Sequence, residues 1–407
     1  MERIYLDYAA STPVHPKVKE AMLPYLDEKF GNAGSLHSFG RDAMAALDAA
    51  REAIAGILGA KFHEVIFTSS ATEANNLALR GIVEGYRVQG SGFSKNRGAQ
   101  NSTLDPSGYT LNPRIITTLI EHESIEETSR DLEKEDIEVV RLPVSKEGFV
   151  NPEDVGAALT PNTVLVSVIY GSNVIGTIQP VREVAEVVKR YRGKTGKPYP
   201  LFHTDAAQAL QFLEVGVGEL GVDLMSLSSQ KIYGPKGAGA LYISEDTLPL
   251  VSPVITGGSQ EFGLRAATED IPAIVGFSRA IELISLNKEN EAERLRSLRD
   301  RLWDGLKTAH PELELNGPEP GPRRLPNNLH VYFPNHDSDE LMVKFDLAGL
   351  AVSVGSACSM RSTRSSYVVK ALGVDPKRAS HSLRFSLGRP VTAGQIDNAI
   401  SRILKLL

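Results

Sequence analysis

The chain has 407 residues, too many for one small domain, so two or three domains are expected. Its 44 basic and 50 acidic residues leave a net charge of −6, which argues against a dedicated nucleic-acid binder. No apolar run reaches membrane-spanning length and the N-terminus has no basic-then-apolar leader. A single cysteine excludes an internal disulfide, so a cytoplasmic protein with no membrane contact is expected.

Continuous apolar, β-branched runs at 64–68, 114–120, 163–169, 201–204, 222–227 and 239–243 predict strands buried on both faces of a parallel sheet. Amphipathic patterns at 42–58 and 181–192 predict helices between them, the alternation of an α/β fold. Residues 88–113 are polar, without apolar period, and read as a long exposed loop. Beyond Gly257-Gly258, helical patterns at 272–286 and 290–309 and strand-like runs at 328–333 and 351–354 predict a smaller α+β domain. Ligands of open parallel sheets bind beyond the carboxyl ends of the strands. The residues there, 69–73, 121–122, 170–173, 205–208 and 228–231, are therefore expected to converge on one site.

Several of these segments carry chemistry. Lys231 ends an apolar strand before a Gly/Pro-rich turn, a short leash in a partly dry setting that favours a neutral, nucleophilic amine. Ser70 and Glu73 have capping-box spacing, and the helix start there is either a plain cap or an anion site. Asp205, at a strand end among small residues, is either another cap or an ionised partner for a protonated cofactor ring nitrogen. His122 follows a strand and is either structural or a proton shuttle. Cys358 sits among small residues near Arg361 and Arg364, as an inert thiol or an activated thiolate. Arg384 interrupts an apolar strand, in an ion pair or gripping a carboxylate with two donors. No His or Cys pair has metal-ligand spacing, so no metal is expected.

Taken together, YLDYAASTP at 5–13, KIYGPKG at 231–237, GSAC at 355–358 and RFSLGR at 384–389 make the chain resemble cysteine desulfurases of the class V aminotransferase group, fold-type I pyridoxal phosphate enzymes. The resemblance implies a large α/β domain, 13–258, with a mostly parallel seven-stranded sheet, and a small α+β domain of 1–12 and 259–407 carrying the Cys358 loop. It implies pyridoxal 5′-phosphate on Lys231, with Asp205 at the pyridine nitrogen, Gln208 at the ring oxygen and His122 stacked on the ring. Ala71, Thr72, Ser228 and Gln230 would hold the phosphate, helped by Thr268 of a partner subunit in a homodimer. Asn173 and Arg384, with Asn32, would bind the carboxylate of substrate L-cysteine. Cys358 would keep the sulfur as a persulfide for an acceptor protein, in iron–sulfur cluster assembly or thio-modification. The same apparatus would serve a selenocysteine lyase or a catalytically weak sulfur-pathway scaffold. The chain departs from the family pattern at Ser70, where glycine is usual, at Ser229-Gln230, where Gly-His is usual, and at Val174, where an acid is usual. It also ends soon after Arg389, without the C-terminal extension by which longer relatives dock an iron–sulfur scaffold.

Overall fold

The computed structural model describes residues 2–94, 112–355 and 366–407. In chain order the elements are β1 (Ile4–Tyr5), α1 (Pro16–Met22), α2 (Ser38–Leu58), β2 (Val65–Thr68), α3 (Ala71–Ser94), β3 (Arg114–Thr118), α4 (Glu123–Glu133) and β4 (Glu138–Leu142). Next come α5 (Pro152–Ala158), β5 (Thr163–Ile169), α6 (Val181–Thr195), β6 (Leu201–Asp205), α7 (Val217–Leu220), β7 (Leu224–Ser228) and β8 (Gly239–Ile243). The remainder is α8 (Ile271–Ser285), α9 (Lys288–Ala309), β9 (Glu314–Leu315), β10 (Asn328–Tyr332), α10 (Ser338–Leu347), β11 (Leu350–Ala351), α11 (Tyr367–Ala371), β12 (Ser382–Ser386) and α12 (Ala393–Ile403).

Seven strands form one sheet in the order β2-β8-β7-β6-β5-β3-β4. Every neighbouring pair is parallel except those made by β8, which runs antiparallel to β2 and β7. Alternation along the strands splits the core. Ile66, Leu165, Leu201, Leu224 and Leu241 pack with α3 and α4 on one face, while Phe67, Val166, Phe202, Met225 and Ala240 pack with α2, α6 and α8 on the other. All seven residues of central β5 are buried. Full burial of each such apolar side chain contributes about 1.5–3 kcal/mol. Helix α2 shows how the helices are bounded. His37 Nδ1 accepts the Gly40 N–H at its start, and Gly59, at φ 65°, closes it in the left-handed region.

Two smaller sheets lie apart from the large one: antiparallel β12-β10-β9, and the parallel pair β1-β11, which ties the N-terminus to the C-terminal third. From β1 the chain passes β12, where Tyr8 N–H donates to Ser386 O, and then crosses to the large sheet, where Thr12 bonds to Gln230 O.

The sequence expectations differ from the structure in four places. Edge strand β4 was not predicted, because its apolar residues are broken by Glu138 and Arg141 and only Leu142 is fully buried. The strand read as 114–120 stops at Thr118, whose hydroxyl donates to Glu121 Oε1 and turns the chain. The strand read as 351–354 is two residues long, at 350–351. Of the loop read at 88–113, residues 88–94 belong to α3, which propagates through weak helix formers once nucleated; residues 95–111 lie outside the described residues.

Candidate active site

Beyond the carboxyl ends of β2, β3, β5, β6 and β7, the chain encloses a cavity of about 190 Å³. The first turn of α3, His122, Asn173, Asp205 with Gln208, and Ser228 with Gln230 and Lys231 all line it. The N-terminal crossing closes one wall with Ala9 and Ala10, and Arg384 enters from β12. A parallel sheet forces this convergence: each strand must end at the same edge, and the turn after it has nowhere else to go.

Lys231 follows β7 in a short 3₁₀ turn, and its Nζ donates to Ala9 O at 2.8 Å and Ala10 O at 2.6 Å. These carbonyls hold the amine inside the cavity. Asp205 is 4% exposed at the end of β6. Its Oδ1 accepts the Ala207 N–H at 2.9 Å, and its Oδ2 accepts from Asn75 Nδ2 at 2.8 Å. Just before it, His203 bridges Ser167 on β5 and Ser226 on β7 at 2.9 Å each, clamping the strands beside the carboxylate. His122 is the N-cap of α4, and burial holds its pKa below the usual imidazole value.

The first N–H groups of α3 have no acceptor within the helix, and Ala71 and Thr72 in this first turn line the cavity. Ser70 Oγ accepts the Glu73 N–H at 3.2 Å, as capping-box spacing predicts, but the Glu73 carboxylate returns to Ser69 N–H at 2.8 Å rather than to Ser70. Burial disfavours the Glu73 charge, yet Arg265, 2.7 Å away, and the Ser69 bonds outweigh it and keep its pKa low. Gly239 lets β8 approach this turn closely. A Cβ there would lie 2.6 Å from Ser70 C and 3.0 Å from Ala71 N.

Arg384 is 1% exposed, and its guanidinium donates to Asp7 Oδ1 at 2.7 Å, to Asn173 O at 2.9 Å and to Gly355 O. Asn32 is not in the cavity; it is exposed, and its Oδ1 is turned to Gly34 N–H at 2.8 Å. Thr268 lines a different cavity, with Ser69, Glu261 and Arg265. Cys358, with Arg361 and Arg364, lies outside the described residues. Sequence reasoning missed Asn75, Ser124, Asp7, Ala9 and Ala10. Asn75 was findable, because it sits four residues after Ala71 and shares its helix face. Asp7, Ala9 and Ala10 lie in the 5–13 run that carries the resemblance, and Ser124 stands two residues after His122, but nothing local marks what the first three bond to.

Next to His122, Glu121 is wholly buried, with Oε1 taking the Thr118 hydroxyl at 2.6 Å and Ile169 N–H at 3.0 Å, while Oε2 has no partner. Burial pushes its pKa up from 4.5 to about 8. An acid with a raised folded pKa stabilises the fold fully below its unfolded pKa, and that contribution is lost as pH rises through the folded value. Glu121→Gln, which keeps both Oε1 bonds, is expected to flatten the fall in melting temperature between about pH 4.5 and 8. An unchanged slope in the variant would remove Glu121 as its source.

Among the described residues no helix is long and apolar enough to cross a membrane, and no cluster of three His, Cys, Asp or Glu side chains is arranged to hold a metal. The sequence profile of the Aminotransferase class-V family matches residues 4–94 and 95–399. A cysteine desulfurase IscS of Dictyoglomus turgidum is 41% identical over 407 residues, covering 99% of this chain and 95% of the relative. A solved NifS-like protein superposes with a TM-score of 0.85 at 33% identity and 99% coverage of both chains. SspA, solved in complex with cysteine, superposes at 0.76 with 32% identity, covering 94% of this chain and 98% of its own. A full-length match in sequence and in fold, on a cavity that gathers an amine, a buried carboxylate and an imidazole, leaves one assignment: the chain belongs to the class-V aminotransferase family, among its cysteine desulfurases.

Proposed function

We propose that this chain is a pyridoxal 5′-phosphate-dependent cysteine desulfurase that converts L-cysteine to L-alanine and leaves a persulfide on Cys358. The observation that carries the reading is the meeting of Lys231, Asp205 and His122 in one cavity, at the partly unsatisfied start of a helix. That donor set fits the cofactor: an amine for its aldehyde, a buried carboxylate for its ring nitrogen, and helix N–H groups for its phosphate. When bound, the cofactor supplies an electron sink for the substrate Cα.

The protein's own residues do the rest. Asp205 would hold a protonated ring nitrogen, and Gln208, whose Nε2 donates to Ala9 O at 2.9 Å, would serve the ring oxygen. Ala71 and Thr72 N–H, Ser228 and Gln230 would hold the phosphate, helped by Thr268 of a partner subunit. The exposed apolar side chains Leu26, Phe30, Leu36 and Phe39, with the Phe30 and Phe39 rings 5.7 Å apart, offer a surface for a second copy to cover. Arg384 and Asn173 hold the substrate carboxylate. The Lys231 amine removes the α-proton, and Cys358 thiolate attacks the substrate sulfur. The carbon–sulfur bond breaks, its electron pair stays with carbon and is protonated, and alanine leaves. One cysteine and one thiol become one alanine and one persulfide, with no outside oxidant. The sulfur then passes to an acceptor protein. The same reading divides the chain into domains 13–258 and 1–12 with 259–407, save that α8, packed with α2 against the large sheet, goes with the first, and it puts the protein in the cytoplasm.

Mass spectrometry after incubation with L-cysteine tests this. Cys358 should gain one sulfur atom and alanine should appear in equal amount in the first turnover. Cys358→Ala should lose both while keeping the visible absorption of bound cofactor. Full alanine production by Cys358→Ala would sink the reading.

A further inference from the structure

Asn75 is fully buried on α3 and absent from every role assigned above. Its Nδ2 lies 2.8 Å from Asp205 Oδ2 and 2.8 Å from Ser124 Oγ. Ser124 Oγ in turn lies 2.8 Å from His122 Nδ1, and the Ser124 backbone N–H reaches the same nitrogen at 3.1 Å. Four side chains from three elements therefore form one line: Asp205, Asn75, Ser124, His122.

The direction of every proton in this line follows from its two ends. An ionised Asp205 can only accept, so the Asn75 amide must present its nitrogen to it, not its oxygen. The second Nδ2 hydrogen then goes to Ser124 Oγ, which leaves the serine hydroxyl hydrogen for His122. At the other end, a backbone N–H can only donate, so Nδ1 must be an unprotonated acceptor. Both ends demand the same arrangement. Asn75 Oδ1 is left buried without a partner, which shows that the amide spends its donors on this line at the expense of its own acceptor.

We propose that Asn75 and Ser124 are positioning residues that hold His122 in the neutral tautomer with its proton on Nε2, with the Asp205 carboxylate as anchor of the line. His122 then presents an N–H donor to the cavity it lines. It is not a ready base at rest, and moving a proton through it first requires gaining one. Burial acts in the same sense, lowering its affinity for a second proton. The charged groups around it are Asp205 on β6 and Glu123 on its own helix, which favour protonation, and Lys231 after β7, which opposes it. The inference rests on the active-site reading only for the use made of Nε2–H; the tautomer itself does not.

The test is ¹⁵N NMR of histidine-labelled holoenzyme without substrate, with the His122 signal assigned by its loss in His122→Gln. The neutral ring should show Nε2 protonated and Nδ1 bare. Ser124→Ala removes one of the two donors that oppose protonation of Nδ1, so His122 should gain its second proton at higher pH, by about one pH unit. Ser124→Thr, which keeps the hydroxyl, should restore the wild-type titration. Asn75→Ala should shift it in the same direction as Ser124→Ala. A proton on Nδ1 in the wild type, or a titration unmoved by Ser124→Ala, would overturn the proposal. Absence of sulfur on Cys358 beside an Nε2–H tautomer would count against the desulfurase reading alone.

Discussion

Lys231→Ala should reduce alanine formation by at least about 10⁴-fold, the largest loss expected from any one substitution, because on the proposed mechanism it removes both the covalent attachment and the proton acceptor. The variant should fold. Lys231 is partly buried, and its loss takes one donor from Ala9 O, which keeps the Gln208 amide, and one from Ala10 O, which lines the cavity and can turn to water. The purified variant should also lack the visible band of wild-type enzyme, or hold the cofactor only loosely enough to lose it on gel filtration. Steady-state alanine release and an absorption spectrum after desalting check both points. A variant with a tenth of wild-type turnover would remove Lys231 from the chemistry and leave it a wall of the cavity.

Glu261→Ala should have the largest effect on stability, a loss of about 3–5 kcal/mol in urea unfolding. The Glu261 carboxylate pairs with Arg51 through two bonds of 2.7 Å and also accepts Phe67 N–H at 2.7 Å, with side-chain exposures of 1% for Glu261 and 4% for Arg51. Without it, the Arg51 guanidinium would remain among the rings of Phe67, Phe262 and Phe62, at 4.7, 5.1 and 5.5 Å from their centroids, as an uncompensated buried charge. Cation–π contacts offset only part of that. Glu261 and Phe262 also sit at φ 48° and 57°, a left-handed backbone that costs non-glycine residues about 1–3 kcal/mol each and persists only where contacts impose it. The double variant Arg51→Met with Glu261→Leu should lose much less than Glu261→Ala alone, because it removes the stranded charge. Equal losses in the two would assign the effect to packing. The segment that Glu261 anchors leads to Thr268, so, if Thr268 serves the phosphate as proposed, cofactor affinity is expected to weaken together with stability.

Much of the site was legible because its signals are local. A strand buried on both faces must be a short apolar run, and the residue that ends it is read directly, as with Asp205 and Lys231. The capping-box spacing at Ser70 and Glu73 located the start of α3, and the structure kept the cap while moving the glutamate's own acceptor contact to Ser69. Edge strand β4 escaped because a strand with one exposed side need not be apolar throughout. Asn32 was assigned through family resemblance, yet its side chain is occupied with its own turn at Gly34.

The sequence by itself determined the order of the buried strands of the large sheet, and which reactive side chains stand at or just after their ends. Those properties depend on periodicity and on neighbours within a few residues. Only the tertiary structure decided which of those side chains share a cavity and what holds each of them. Asp7 reaches Arg384 across 377 positions of chain, and Asn75 reaches Asp205 across 130. Such pairs are selected by the closure of the sheets around a common edge, and a hydrogen bond between groups so far apart leaves no mark on the residues beside either of them.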